Sequence, residues 1–78
     1  MKEPCFYGSC DAEAVKVIIV VRWPYLDKII ESYPHCEIHG SHAYYCADRL
    51  ILSNVNYKYH SISVEQFSIM YIEHVHST

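Results

Sequence analysis

Two short pairs of metal-type side chains constrain this chain more than any other feature. The first is Cys5-Phe-Tyr-Gly-Ser-Cys10 and the second is Cys36-Glu-Ile-His39. Zinc takes four thiolate or imidazole ligands in a tetrahedron at roughly 2.0–2.3 Å, and a structural site leaves no position open. Two close pairs on separate segments meet that demand only if the intervening chain turns back on itself. The expected site is therefore one closed, structural Zn2+ centre on Cys5, Cys10, Cys36 and His39. The residues alone leave two alternatives: disulfides, of which Cys5–Cys10 fits the spacing best, and unligated thiols.

A staple suits a chain of 78 residues, because a single hydrophobic core is marginal at that size. Half the residues are apolar and eight are Tyr, a folding composition and not a disordered one. The net charge of −3 argues against general nucleic-acid binding, which needs a basic footprint. The opening Met-Lys-Glu-Pro-Cys has no apolar core of a secretory signal. The longest apolar run, Val17 to Val21, falls far short of the roughly 20 residues of a membrane helix. A cytoplasmic location is expected, and in a reducing compartment paired cysteines signal metal more often than disulfide.

The elements follow in order, as one domain over residues 1–78. Gly8, inside the first pair, suits a tight turn through a positive φ. Asp11 to Trp23 predicts a strand, with Val15, Val17, Ile19 and Val21 on one face and Lys16, Ile18, Val20 and Arg22 on the other. Its middle is apolar on both faces, so cover is expected on both sides. Residues 24–34 fit either a short helix or a turn at Asp27-Lys28 with a strand returning to Tyr33. The hairpin is preferred, because it brings Cys36 back beside Cys10. A helix is expected from about Pro34-His35-Cys36 to about Ser53, with Gly40 a weak point in it. The last third, Tyr57 to Thr78, fits strands by its β-branched and aromatic content. It also fits a helix capped by Ser63 and Gln66; strand is preferred.

The arrangement Cys5, Cys10, Ala14, Cys36 and His39 resembles the treble-clef and zinc-ribbon-like proteins of bacteria and phages, which carry C-x4-C-x-x-x-A and later C-x2-H. The likeness spans roughly residues 5–45. It implies an α+β fold: a zinc knuckle, a β-hairpin and a helix, treble-clef-like, followed by one or two C-terminal strands. This chain adds His35, His42 and Cys46 nearby, each an alternative ligand. Cys36 and Cys46 on one continuous helix would stand ~15 Å apart, so they share neither an ion nor a disulfide. His42 and Cys46 share a helix face with His39, which allows a second site; Cys46 also fits as a small buried hydrophobe.

No catalytic residue is expected. The four best ligands close the shell, Glu37 projects away from their face, and neither a phosphate loop nor a nucleophile elbow is present. A His42–Cys46 pair, as a small Cys/His enzyme or redox protein, is the enzymatic alternative. The expected function is a non-enzymatic module binding a protein partner, with Tyr44, Tyr45, Tyr57, Tyr59 and Tyr71 as contact rings. The resemblance extends this to a phage or mobile-element accessory protein that inhibits a host factor, of the anti-defence type. A nucleic-acid module would need Lys16, Arg22, Lys28, Arg49 and Lys58 gathered on one face. A homodimer through the C-terminal strand, where His74 and His76 would share a face, is the remaining expectation.

Overall fold

A computed structural model describes residues 3–25 and 28–76, with the backbone alone over 71–76. The elements are β1 (Lys16–Arg22), β2 (Ile29–His35), α1 (Gly40–Leu52), β3 (Tyr57–Ser63) and α2 (Val64–His76). The strands form one antiparallel sheet in the order β2-β1-β3. The architecture is thus small α+β, with α1 on one face of the sheet and α2 on the other.

The run of five β-branched residues decides that β1 is central. Val17 through Val21 are all at most 2 % exposed, so both faces of the strand are covered, as the sequence predicted. Val17, Ile19 and Val21 pack with Phe67 of α2. Ile18 and Val20 pack with Ala43 and Ala47 of α1, which are four apart and so lie on one helix face. Alanine there lets the helix axis approach the sheet closely. At about 2 kcal/mol for each buried Val or Ile side chain, this one strand supplies much of the burial that drives folding.

Several expectations shift. β1 begins at Lys16 and not at Asp11; Val15 is 48 % exposed and its N–H donates to His35 O at 2.9 Å. The hairpin reading of residues 24–34 holds, although β2 continues through Pro34 to His35. An edge strand tolerates a residue without an N–H. The expected turn at Asp27-Lys28 lies partly outside the described residues. After Arg22 the chain turns through a cis Trp23–Pro24 peptide, with Tyr25 N–H on Arg22 O at 2.8 Å.

The helix that carries the second ligand pair starts at Gly40, so Cys36 and His39 sit in the bend before it and not in its first turn. The C-terminal third divides. Tyr57–Ser63 is strand, as expected, but residues 64–76 form a helix. Ser63 Oγ accepts from Gln66 N–H at 3.0 Å, so the capping signal prevails over β-branched content once Phe67 finds the sheet. Tyr71, His74 and His76 therefore belong to a helix, not to a pairing strand. Gly8 does not take a positive φ; no residue among those described does.

Candidate metal centre

The two ligand pairs are brought together by backbone hydrogen bonds that begin well before the donors. Pro4 bridges to Glu13 in antiparallel fashion. Cys5 N–H donates to Ala12 O at 3.1 Å and Ala14 N–H to Glu3 O at 2.8 Å. Between them the knuckle closes on itself, with Cys10 N–H on Tyr7 O at 2.9 Å. Two further bonds, Phe6 N–H to Pro34 O at 2.6 Å and Val15 N–H to His35 O, stitch the knuckle to the end of β2. Cys36 is the next residue. The β1–β2 hairpin thus delivers the second pair to the first.

The ligand atoms of Cys5, Cys10, Cys36 and His39 all lie within 4.8 Å of one another. A tetrahedral ion with thiolate bonds of ~2.3 Å and an imidazole bond of ~2.05 Å requires S···S edges of about 3.8 Å and S···N edges of about 3.6 Å. Cys10 Sγ and Cys36 Sγ are 3.8 Å apart. Cys5 Sγ is 3.6 Å from His39 Nδ1, and Cys36 Sγ is 3.2 Å from the same nitrogen. Two of the three edges match and the third is shorter. A disulfide needs sulfurs ~2.05 Å apart, and all four cysteines are free thiols. Cys5 and Cys36 are buried while Cys10 and His39 are half-buried, so the cluster is closed toward the core and reachable only from one side. These four residues fit a metal ion.

The local field favours anions. His39 occupies the N-cap of α1 without making a side-chain cap, because its Nδ1 faces the sulfurs instead. The first turn of α1 holds no acidic residue, so the positive end of the helix is left to the thiols. Burial pushes the Cys36 thiol up, but the N–H groups of His39 and Ile38, aided by the Cys10 and His39 side chains, bring it from 9.0 down to about 6. Cys10 has the Ala12 backbone in its favour, yet burial and the neighbouring Cys36 and Cys5 raise it above the ordinary thiol value. Cys36 therefore forms its thiolate before Cys10 does. Tyr7 of the knuckle stacks flat on the His39 ring, with centroids 4.2 Å apart and planes 7° from parallel, which fixes the ring's orientation.

The alternative ligands lie elsewhere. His35 is buried, its Nδ1–H donates to Cys36 O at 2.9 Å, and its Nε2 meets no partner. It braces the Cys36 backbone from beneath and is not among the donors. His42 is exposed on α1, with its ring against Tyr7 and His39 at 5.2 and 5.6 Å. Cys46 is half-buried in a separate groove of about 370 Å³ lined by Tyr33, Arg49, Leu50 and Ser53. Glu37 is exposed and outside the cluster.

One role escaped the sequence reading. A Cβ on Gly40 would stand 3.3 Å from two atoms of the His35 ring, so this glycine admits the buried imidazole beneath the start of α1. Its place directly after the C-x2-H pair is the signal that could have revealed it.

The tyrosines separate by packing. Tyr45 is 62 % and Tyr44 41 % exposed, and Tyr44 meets Tyr59 edge-on at 5.9 Å. Tyr57 and Tyr59 pack against the Ile18–Ala47 cluster, and Tyr59 donates to Asp48. The side chain of Tyr71 lies outside the described residues. No helix is long and apolar enough to cross a membrane. No family model, curated protein or solved structure matches the chain.

Proposed function

We propose that Cys5, Cys10, Cys36 and His39 bind one structural zinc ion, and that the chain is a non-enzymatic protein-binding module held in shape by it, built on a treble-clef-like knuckle and hairpin. The observation that carries this reading is the set of donor separations near tetrahedral edges in a shell closed toward the core. Three thiolates and an imidazole are a donor set that zinc takes in closed structural sites. Zinc in such a shell supplies folding free energy on the order of 10 kcal/mol. The whole stability of a domain of this size is only about 4–12 kcal/mol, so the ion decides whether the knuckle end is ordered.

The same closure leaves no position for a substrate or an activated water, and the His42 ring lies against Tyr7 and His39. Binding falls to exposed apolar surface beside the ligands. Tyr45 leads it, with Arg49 over its ring at 5.8 Å, and Tyr44 and the 82 % exposed Ile38 extend it. The accessory role, inhibition of a host factor, rests on the motif resemblance alone. Native mass spectrometry of protein purified without chelator should show one zinc per chain, lost with the near-ultraviolet circular dichroism on adding chelator or in Cys36→Ala. A mass lighter by two or four hydrogens and no metal would replace the centre by disulfides. Captured partners should be retained by His60→Ala and lost in Tyr45→Ala; equal loss in both would remove the tyrosine face from the reading.

A further inference from the structure

The sheet has two outer edges, β2 and β3, and the chain treats them differently. In an antiparallel ladder successive residues turn their N–H and C=O groups alternately toward one neighbour and the other. On β2 the outward-facing Pro34 has no N–H, and its carbonyl is taken by Phe6 N–H at 2.6 Å. A register shift opposite Val20 and Val21 interrupts the same strand, and Glu31 stands exposed on it. Proline, a bulge, a charge and a covering loop are all devices that keep an edge from pairing further.

β3 has neither proline nor bulge. Its seven residues run opposite β1 in unbroken register from Tyr57 to Ser63. Trp23 N–H donates to Asn56 O at 2.7 Å, while Tyr57 N–H turns away to Asn54 O at 3.0 Å. By alternation Lys58, His60 and Ile62 bond to β1, and Tyr59 and Ser61 point their N–H and C=O groups outward. Among the described residues no backbone group meets these four. They form a template for one more strand.

The strand that fits this edge is β3 itself. Laid antiparallel about a two-fold axis through His60, all seven residues find a partner, and outward groups meet outward groups. On the α1 face Tyr59 comes opposite Ser61 of the second copy and Tyr57 opposite its Ser63, large against small. Tyr44 already stands edge-on to Tyr59 there, at 5.9 Å. On the α2 face Lys58 comes opposite Ile62 of the second copy. The strand's only formal charge thus opposes no like charge, and its methylene stem covers an apolar side chain. His60 and Ile62 line a groove of about 230 Å³ with Ile19, Gln66 and Met70, which that stem reaches. A foreign strand would have to reproduce this alternation, whereas a second copy already carries it.

We propose that β3 pairs antiparallel with β3 of a second copy about His60, joining two three-stranded sheets into one continuous sheet in a homodimer. The strand that pairs near the C-terminus is then β3 and not the stretch after Ser63. The interface stands apart from the metal centre and from the Tyr45 surface. One short strand pair makes a weak, reversible dimer, with a dissociation constant on the order of 10⁻⁵ M.

Sedimentation equilibrium of the full-length, metal-loaded protein from ~1 µM to ~1 mM brackets that value, and monomer should pass to dimer within it. Ser61→Pro removes only an outward N–H, so the β1–β3 bonds remain. It should weaken the dimer about tenfold or more, with circular dichroism checking the fold. Cysteine pairing tests the register and decides the matter alone if Ser61→Pro unfolds. His60 meets its copy in a closely spaced pair, with Cα atoms about 4.5 Å apart, within disulfide reach. Air oxidation of His60→Cys should therefore give a covalent dimer linked at that position, mapped by mass spectrometry. In Lys58→Cys the two new thiols lie about 13 Å apart along the strands and should stay unlinked. Three results would overturn the proposal: a monomer at every concentration, which would leave the edge to a strand of another protein; a dimer unmoved by Ser61→Pro and lost in Tyr45→Ala, which would place self-association on the tyrosine surface; or links formed as readily by Lys58→Cys as by His60→Cys.

Discussion

Cys36 concentrates most of the chemistry of the candidate metal centre in one atom. Burial opposes its anion, and the N–H groups of His39 and Ile38 more than compensate, which sets its thiol at about 6 in the metal-free protein. Thiolate absorbance of metal-free chain should therefore include a step with a midpoint near 6 that Cys36→Ser removes, wherever circular dichroism shows the Cys36 bend still folded; only steps near the ordinary 9.0 would mean that the bend is lost together with the ion. The sign for stability follows from a folded value below the unfolded one. This thiol's contribution is complete above about 9 and is lost as pH falls toward about 6. At this scale the sequence was informative about donors and poor about their supports. Spacing alone picked out Cys5, Cys10, Cys36 and His39, because ligand chemistry requires particular side chains. It misjudged both glycines, because their reasons are spatial. Gly8 has open space around it and an ordinary φ, whereas Gly40 yields to the His35 ring.

Among the elements, β1 and α2 test opposite lessons. β1 was legible because five consecutive β-branched residues admit few environments other than a strand covered on both faces. Ile18→Ala should cost about 3–4 kcal/mol in urea unfolding of the metal-loaded protein, the range for a fully buried aliphatic that leaves a cavity. Ser63→Ala should cost only about 1 kcal/mol, the loss of one N-cap. A larger effect at Ser63 than at Ile18 would mean that the capping turn, and not the strand, anchors the sheet. α2 was misassigned because its sequence fits both periods, with Phe67, Ile69, Tyr71 and Val75 alternating as a strand and Val64, Phe67 and Met70 forming one helical stripe. The decision came from the sheet, whose Val17–Ile19–Val21 face needs a covering layer that one further edge strand does not provide. The start of α1 was misplaced for a related reason. Cys36 to His39 must bend to point two donors at one place, so helix geometry is deferred until Gly40.

Over the whole molecule, the candidate donors and the exposed Trp23–Tyr25 turn lie at opposite ends of one central strand. The position of the donors has a further consequence in time. All four, with the β1–β2 hairpin between them, belong to residues 5–39, so the whole candidate site lies before β3 and α2 in the chain. A fragment ending at Ser53 should bind one metal ion while failing to unfold cooperatively on heating, because β1 lacks both its second neighbour and the cover of α2. Absence of bound metal in that fragment would show that the donors assemble only on the finished sheet. With metal bound, residues 5–39 would already be fixed, and β3 and α2 would have a template, not a search, as their path to the native state.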